Sequence, residues 1–210
     1  MPLYKTIHIS PEVVVHIWKI TENEEELRQN VSLTDNCSQR VEGMKSELHR
    51  RGFLSIRQLM LLEGYEDKDL YYDELGKPHL YDGKHISITH SFQFTAIIIS
   101  SGKKVGIDIE KQREKIIRIA HKFTTLDTSP DAGTSEELIK KLTVIWGAKE
   151  SLYKICAIPG LSFLQNIYIE PNFMEKSWFK GDINLEHEFS NYDISQLEFE
   201  GFTCVYALKQ

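Results

Sequence analysis

Alternating and helix-spaced apolar residues divide the first half of the chain into strands and one long helix. The first twenty residues alternate polar and apolar side chains and predict strands. Apolar residues at helical spacing predict a helix over 44–62, with Gly52 near its centre and Arg57 on its basic, solvent-facing side. A short polar helix is expected at about 66–72, before Gly76-Lys77-Pro78 interrupts regular structure.

The rest of the chain combines strands with a second long helix. Segments 86–89 and 94–100 read as strands, and the turn at 101–104 predicts a hairpin into a strand at 105–110. Thr134 and Glu137 have capping-box spacing, so we expect a helix from there to about Cys156. Alternation returns at 163–169, 193–199 and 202–208 and predicts strands. The whole pattern indicates an α+β protein with a boundary near 101–104.

Composition narrows the class of protein. The chain has 210 residues, enough for a substantial core, and its 25 basic and 31 acidic residues give a net charge of −6. This balance disfavours general attraction to nucleic acid or an anionic membrane, so an anion site has to be built locally. No apolar run approaches a membrane span, and the N-terminus lacks a signal-peptide pattern. Three widely spaced cysteines without a CxxC motif favour a reducing compartment, the cytoplasm.

Two acids share one face of the predicted strand at 105–110. Side chains alternate along a strand, so Val105, Ile107 and Ile109 would face the core, while Asp108 and Glu110 project together from the other side. Adjacent carboxylates repel each other, and a hard cation such as Mg²⁺ relieves that repulsion. Taken alone, the strand fits a solvated face better than a metal site.

The second long helix places an acid and a base one turn apart. Trp146, Glu150 and Lys154 are spaced by four and form one stripe. In isolation this pattern is typical of a surface ion pair worth a few tenths of a kcal/mol, that is about 0.2–0.5 kcal/mol. The tryptophan indicates that the stripe is covered rather than solvated.

Two further segments offer groups for binding a nucleotide. The turn Gly76-Lys77-Pro78 can present backbone to a flat ring, and the strand end at Thr89 and His90 offers a hydroxyl and an imidazole to phosphate. Each also fits a plain loop and a structural histidine. The basic cluster at 49–51 reads first as a solvated helix face and second as a phosphate clamp.

Four of these segments, in their order along the chain, resemble the 4'-phosphopantetheinyl transferase superfamily, specifically its long, two-lobed members that activate synthase carrier domains. The resemblance covers about 50–162. It rests on the turn at 76–78, the strand end at 88–91, the Gly-Ile-Asp-Ile-Glu strand at 106–110 and the Trp-x-x-Lys-Glu-Ser-x-x-Lys helix at 146–154.

The resemblance implies a fold and an activity. The fold would be two similar α+β lobes, 1–103 and 104–210, forming a pseudo-dimer with the active site in the cleft between them. The activity would be transfer of 4'-phosphopantetheine from coenzyme A to a serine of an apo acyl or peptidyl carrier protein, with release of 3',5'-ADP. Fatty-acid, polyketide or nonribosomal peptide synthesis would be served. The expected enzyme is a cytoplasmic monomer that binds neither nucleic acid nor membrane.

The resemblance also implies roles for the residues of the strand and the helix. Asp108, Glu110 and Glu150 would hold Mg²⁺, or Mn²⁺ in its place, against the pyrophosphate of coenzyme A. Glu150 would also deprotonate the carrier serine, directly or through water. Lys154 would neutralise or protonate the departing 3',5'-ADP.

The remaining roles implied by the resemblance concern coenzyme A itself. Thr89 and His90 would contact phosphate, and Lys77 and Pro78 would line the adenine pocket. The 3'-phosphate would be bound by one of two neighbouring arginines, Arg50 or Arg51.

Two other classes of function stay open at this level. One is a Mg²⁺-dependent pyrophosphate hydrolase that cleaves coenzyme A without a carrier. The other is a non-catalytic module that binds coenzyme A or a carrier domain, although such a module would need no base beside a metal.

Overall fold

The computed structural model describes residues 3–129, 134–185 and 188–210, and these form the α+β fold that the sequence predicts. The chain separates into two units, Met1–Gly102 and Lys103–Gln210. Each unit has its own antiparallel sheet and helices. Within the described ranges, no helix is both long enough and apolar enough to cross a membrane.

The first unit consists of a four-stranded sheet, a small two-stranded sheet and three helices. Its strands are β1 Leu3–Ser10, β2 Val13–Lys19, β3 Leu70–Tyr72, β4 Pro78–Leu80, β5 His85–Ser91 and β6 Phe94–Ser100. Its helices are α1 Glu24–Arg28, α2 Asp35–Glu42 and α3 Glu47–Leu62. The main sheet has the order β1-β2-β6-β5, and β3 pairs with β4 alone. Helix α3 packs against β2 and β6.

Helix α3 differs from its prediction in which side is buried. It begins at Glu47 because Ser46 caps it, accepting a hydrogen bond from the His49 amide. Leu62 is exposed, whereas Arg57 is buried and donates from Nε to Asp67 Oδ1 at 2.8 Å. A buried arginine requires such a partner, and its partner lies in a turn that helical periodicity does not reveal. That turn, 67–69, is a single 3₁₀ turn leading into β3, not the short helix expected there.

The second unit is a five-stranded sheet covered by a long helix. Its strands are β7 Val105–Lys111, β8 Ile167–Ile169, β9 Trp178–Leu185, β10 Glu188–Phe199 and β11 Phe202–Lys209. Its helices are α4 Lys115–Ile119 and α5 Ser135–Cys156. The sheet has the order β7-β11-β10-β9-β8. The 101–104 turn is therefore not a hairpin turn, because β6 pairs with β2 and β5, whereas β7 pairs with β11.

The expected capping box starts helix α5. Thr134 accepts a hydrogen bond from the Glu137 amide, and the Glu137 carboxylate accepts one from the Thr134 amide. The helix ends where Ala157 adopts a left-handed conformation with φ 51°. Leu142, Ala148 and Leu152 are fully buried, and α5 lies along β7 and β11. This packing brings the predicted helix stripe and the acidic strand into one site.

Candidate active site

Strand β7 is buried on both faces. Val105, Ile107 and Ile109 are buried, as expected, but Asp108 on the opposite face is also only 5% exposed. That opposite face packs on α5 so closely that a Cβ placed on Gly106 would overlap the Ser151 carbonyl. Asp108 therefore points into a protein interior, and a solvated strand face is excluded.

Lys154 connects the helix stripe to the acidic strand. Its Nζ donates to Asp108 Oδ1 at 2.8 Å and to the Ile107 carbonyl at 2.8 Å. The expected surface pair along the helix is thus replaced by an ion pair across to β7. An ion pair with one partner this buried needs close geometry to offset desolvation, and a second hydrogen bond to a carbonyl contributes to that.

The three candidate metal ligands are electrostatically coupled. Burial and then the charge of Asp108 raise the pKa of Glu110 to about 7, against the lowering effects of Arg113 and Lys154. Burial and the charge of Asp108 also raise the pKa of Glu150. Both glutamates are therefore hard to ionise while Asp108 is charged, which is the situation that a divalent cation relieves.

The donor set fits a hard cation in its chemistry. Asp108, Glu110 and Glu150 supply carboxylate oxygens from two rigid elements, which is the ligand type that Mg²⁺ prefers. Within residues 3–129, 134–185 and 188–210, however, no three Asp, Glu, His or Cys side chains are already gathered around a common metal position. The acids are close enough to perturb one another, and a cation would have to draw them together.

The polar residues of the α5 motif each attach the helix to a different neighbour. The Trp146 side chain lies beside Glu110, and both line one small cavity. Lys149 is buried, and its Nζ donates to the carbonyls of Phe163 at 2.5 Å and Ile167 at 2.6 Å. Ser151 donates to the Val205 carbonyl of β11 at 3.0 Å. The motif therefore fixes the position of the helix against the rest of the unit.

A small cavity beside Glu110 contains residues that sequence reasoning did not select. Its volume is about 170 Å³, and Thr143 and Trp146 form part of its wall. Three exposed basic residues also line it: Lys111, Arg113 and Lys115. The sequence signal that could have identified these residues is the run of basic side chains directly after Glu110. A larger cavity, of about 530 Å³, lies elsewhere in the second unit, and none of the three acids lines it.

In the first unit, strand alternation separates the two candidate phosphate ligands. Thr89 is buried on one face of β5, and the neighbouring His90 projects from the other. The His90 ring packs over Gly52 of α3, where a Cβ would lie 2.8 Å from it, and its Nε2 donates to the Phe92 carbonyl at 3.1 Å. Although His90 is partly exposed, desolvation of its ring lowers its pKa, assisted by nearby His49 and opposed by the hydrogen bond to Phe92.

The structure distinguishes the two arginines of the basic cluster. Arg50 donates to the Glu24 carboxylate at 2.6 Å and to the Met44 carbonyl at 2.7 Å, so its guanidinium is occupied. Arg51 is only loosely paired, with its Nη1 3.9 Å from a Glu47 oxygen. Its Nε is buried and has no hydrogen-bond partner within the described part of the chain. Arg51 is therefore the better candidate for an anion ligand.

Pro78 begins β4 of the small β3–β4 sheet, and Lys77 lies in the turn before it. The Asp73 carboxylate accepts a hydrogen bond from the Lys77 amide at 2.9 Å, which closes the turn before β4. Pro78 is half-buried and pairs with Tyr72. Pro78 therefore belongs to a different sheet from Thr89 and His90.

Comparison with known families identifies the second unit. Residues 104–207 match the model of the 4'-phosphopantetheinyl transferase superfamily. The matched range contains Asp108, Glu110, Glu150 and Lys154. No curated protein matches the chain significantly.

Proposed function

Because the chain belongs to the 4'-phosphopantetheinyl transferase superfamily, we propose that it transfers 4'-phosphopantetheine from coenzyme A to a serine of an apo acyl or peptidyl carrier protein. A bond forms between the serine oxygen and the phosphorus that carries the pantetheine. The pyrophosphate bond breaks, and 3',5'-ADP leaves. The observation that most supports this assignment is the meeting of Asp108, on β7, with the Glu150–Lys154 stripe of α5.

In this proposal Asp108, Glu110 and Glu150 hold a divalent cation, Mg²⁺ or Mn²⁺, which would stabilise charge on the pyrophosphate and orient it. Glu150 takes the proton of the serine hydroxyl, directly or through a water molecule, because it projects from α5 beside the acids of β7 that would hold the cation. Lys154 neutralises or protonates the leaving 3',5'-ADP.

The first unit supplies recognition of coenzyme A in the proposal. Arg51 binds the 3'-phosphate, because Arg50 is already engaged by Glu24. His90 contacts phosphate through its imidazole ring. Thr89 offers a hydroxyl to phosphate, and Lys77 and Pro78 contact the adenine.

Incubation with coenzyme A, Mg²⁺ and a panel of apo-carriers tests the proposal, with intact mass as the readout. We expect addition of one phosphopantetheine to at least one carrier, and none with Glu150→Gln. Release of 3',5'-ADP without any carrier would instead indicate a pyrophosphate hydrolase. Tight binding of coenzyme A or a carrier with no reaction would indicate a non-catalytic module.

A further inference from the structure

Lys149 is a buried cation to which the proposed mechanism gives no role. Its side chain is 5% exposed, and its ammonium group is bound to two backbone carbonyls, Phe163 and Ile167. Burying an ammonium group is costly unless hydrogen bonds compensate it. A neutral apolar residue would fill the same space without that cost, so the contacts to the carbonyls require a reason.

The two carbonyls belong to the segment that follows α5, and this segment carries an aromatic side chain back to the helix. The Phe163 ring lies 5.4 Å from the Trp146 ring and 5.6 Å from the Tyr153 ring, centroid to centroid. Trp146 in turn lies beside Glu110, with which it lines the small cavity of about 170 Å³. A chain of contacts thus leads from Lys149 through Phe163 and Trp146 to a candidate metal ligand.

Packing behind this segment is incomplete. The cavity of about 530 Å³ is lined by Leu164, Ile167 and Lys149, among other residues. Side chains that border a cavity lose dispersion contacts on that side. The two contacts from Lys149 therefore supplement the apolar packing of Phe163 and Ile167, and they are among the shortest hydrogen bonds described in the unit.

We propose that Lys149 is a positioning residue, which holds the 163–167 segment on α5 so that Phe163 fixes Trp146 and Trp146 fixes Glu110. The inference rests on the proposed function for its catalytic consequence, but the attachment itself is independent of activity. Loss of Lys149 should loosen the segment and misplace Glu110, while binding of coenzyme A in the first unit stays intact.

Lys149→Met tests the proposal, because methionine keeps most of the side-chain volume but donates no hydrogen bond. Lys141→Met is the matched control, since Lys141 lies on the same helix and lines the same cavity. Hydrogen exchange of the 158–168 peptide reports the attachment. Direct Mn²⁺ binding and steady-state kinetics report the position of Glu110.

In Lys149→Met we expect faster hydrogen exchange confined to the 158–168 peptide, and weaker Mn²⁺ binding. The kcat should be lower by on the order of 10- to 100-fold, which is the effect of a misplaced catalytic group. The KM for coenzyme A should change by less than about threefold, because the contacts that bind coenzyme A equally in the ground state and the transition state are unchanged. Lys149→Gln, whose amide still donates, should recover part of each loss. Lys141→Met should resemble the wild type.

Phe163→Leu covers the case in which Lys149→Met does not fold. It should lower kcat and Mn²⁺ affinity without accelerating exchange at the Ile167 end of the segment, since the attachment remains. Unchanged exchange in Lys149→Met, or faster exchange with unchanged Mn²⁺ affinity and kcat, would overturn the proposal. If the wild-type protein transfers no phosphopantetheine, the proposed function fails, and exchange and Mn²⁺ binding still decide the role of Lys149.

Discussion

Replacing Gly106 with alanine should separate the two elements that form the candidate active site. A Cβ at this position would overlap the Ser151 carbonyl oxygen, lie 2.9 Å from the carbonyl carbon and lie 3.0 Å from Ile155 Cγ1. Carbon atoms at rest stay about 3.5–4.0 Å apart. The obstacle is the backbone of a 22-residue helix, which cannot rotate away as a side chain would. Strand β7 and helix α5 would therefore have to move apart by about 1 Å.

The magnitude follows from overpacking and from the contacts that such a shift breaks. Forcing an extra carbon into a packed interior costs about 1–3 kcal/mol, and a collision with backbone belongs at the upper end of that range. The same shift would stretch the 2.8 Å contact from Lys154 Nζ to Asp108 Oδ1 beyond hydrogen-bonding distance. We expect a destabilisation of about 3 kcal/mol and a fall in kcat on the order of 100-fold.

Gly147→Ala is the matched control on the facing side of the same interface. Its Cβ would lie 3.0 Å from Val205 Cγ2, a side-chain methyl group that can shift by a few tenths of an ångström. Alanine also favours a helix over glycine by about 1 kcal/mol. The gain and the crowding nearly offset each other, so we expect a stability within about 1 kcal/mol of wild type.

Urea unfolding followed by circular dichroism measures both effects. If Gly106→Ala lowers the free energy of unfolding by about 3 kcal/mol, and urea lowers it by about 2–3 kcal/mol per molar, the urea midpoint should fall by roughly 1 M. The midpoint of Gly147→Ala should barely move. The carrier-modification assay gives kcat for each variant. Equal midpoints for the two variants, or full activity of Gly106→Ala, would refute the inference that backbone contact at this position sets the site.

Three further predictions concern the metal, the 3'-phosphate and the oligomeric state. Asp108→Asn, or removal of divalent cations by chelation, should abolish transfer but leave the circular dichroism spectrum intact; a fully active Asp108→Asn without added metal would contradict the metal site. Arg51→Ala should raise the KM for coenzyme A by roughly 10- to 100-fold and leave dephospho-coenzyme A almost unaffected, since charge-assisted bonds contribute about 1.5–3 kcal/mol. Arg50→Ala should instead lower the urea midpoint, because Glu24 loses its partner. If Arg50→Ala raised the KM and Arg51→Ala lowered the urea midpoint, Arg51 would be structural. Sizing chromatography should find the activity in a monomer, and activity confined to a dimer or trimer and lost on dilution would argue against it.

The spacing of residues that are close together in the chain was sufficient to predict the local features of the site. Thr134 and Glu137 begin α5 because cap geometry depends on a spacing of three residues. Asp108 and Glu110 share a face of β7, since a strand has a period of two, and Glu150 and Lys154 share a stripe because a helix repeats every 3.6 residues. These relations are fixed by backbone geometry alone, so they can be read without knowing the fold.

Contacts between distant segments decided the rest. Periodicity put Arg57 on a solvated face, but its partner Asp67 lies in a separate turn, and the pair is buried. The turn at 101–104 looked like a hairpin because hairpins are signalled locally, yet the partner of β7 is β11, nearly a hundred residues later.

The same limit applies to the chemistry of the site. Sequence could not rank Arg50 against Arg51, because the choice depends on Glu24, which reaches Arg50 from a different helix. Nor could it show that Lys154 bonds to Asp108, or that Lys149 is buried beneath the carbonyls of Phe163 and Ile167. A side chain's partner, burial and pKa are set by the elements packed against it, and only tertiary structure determines which elements those are.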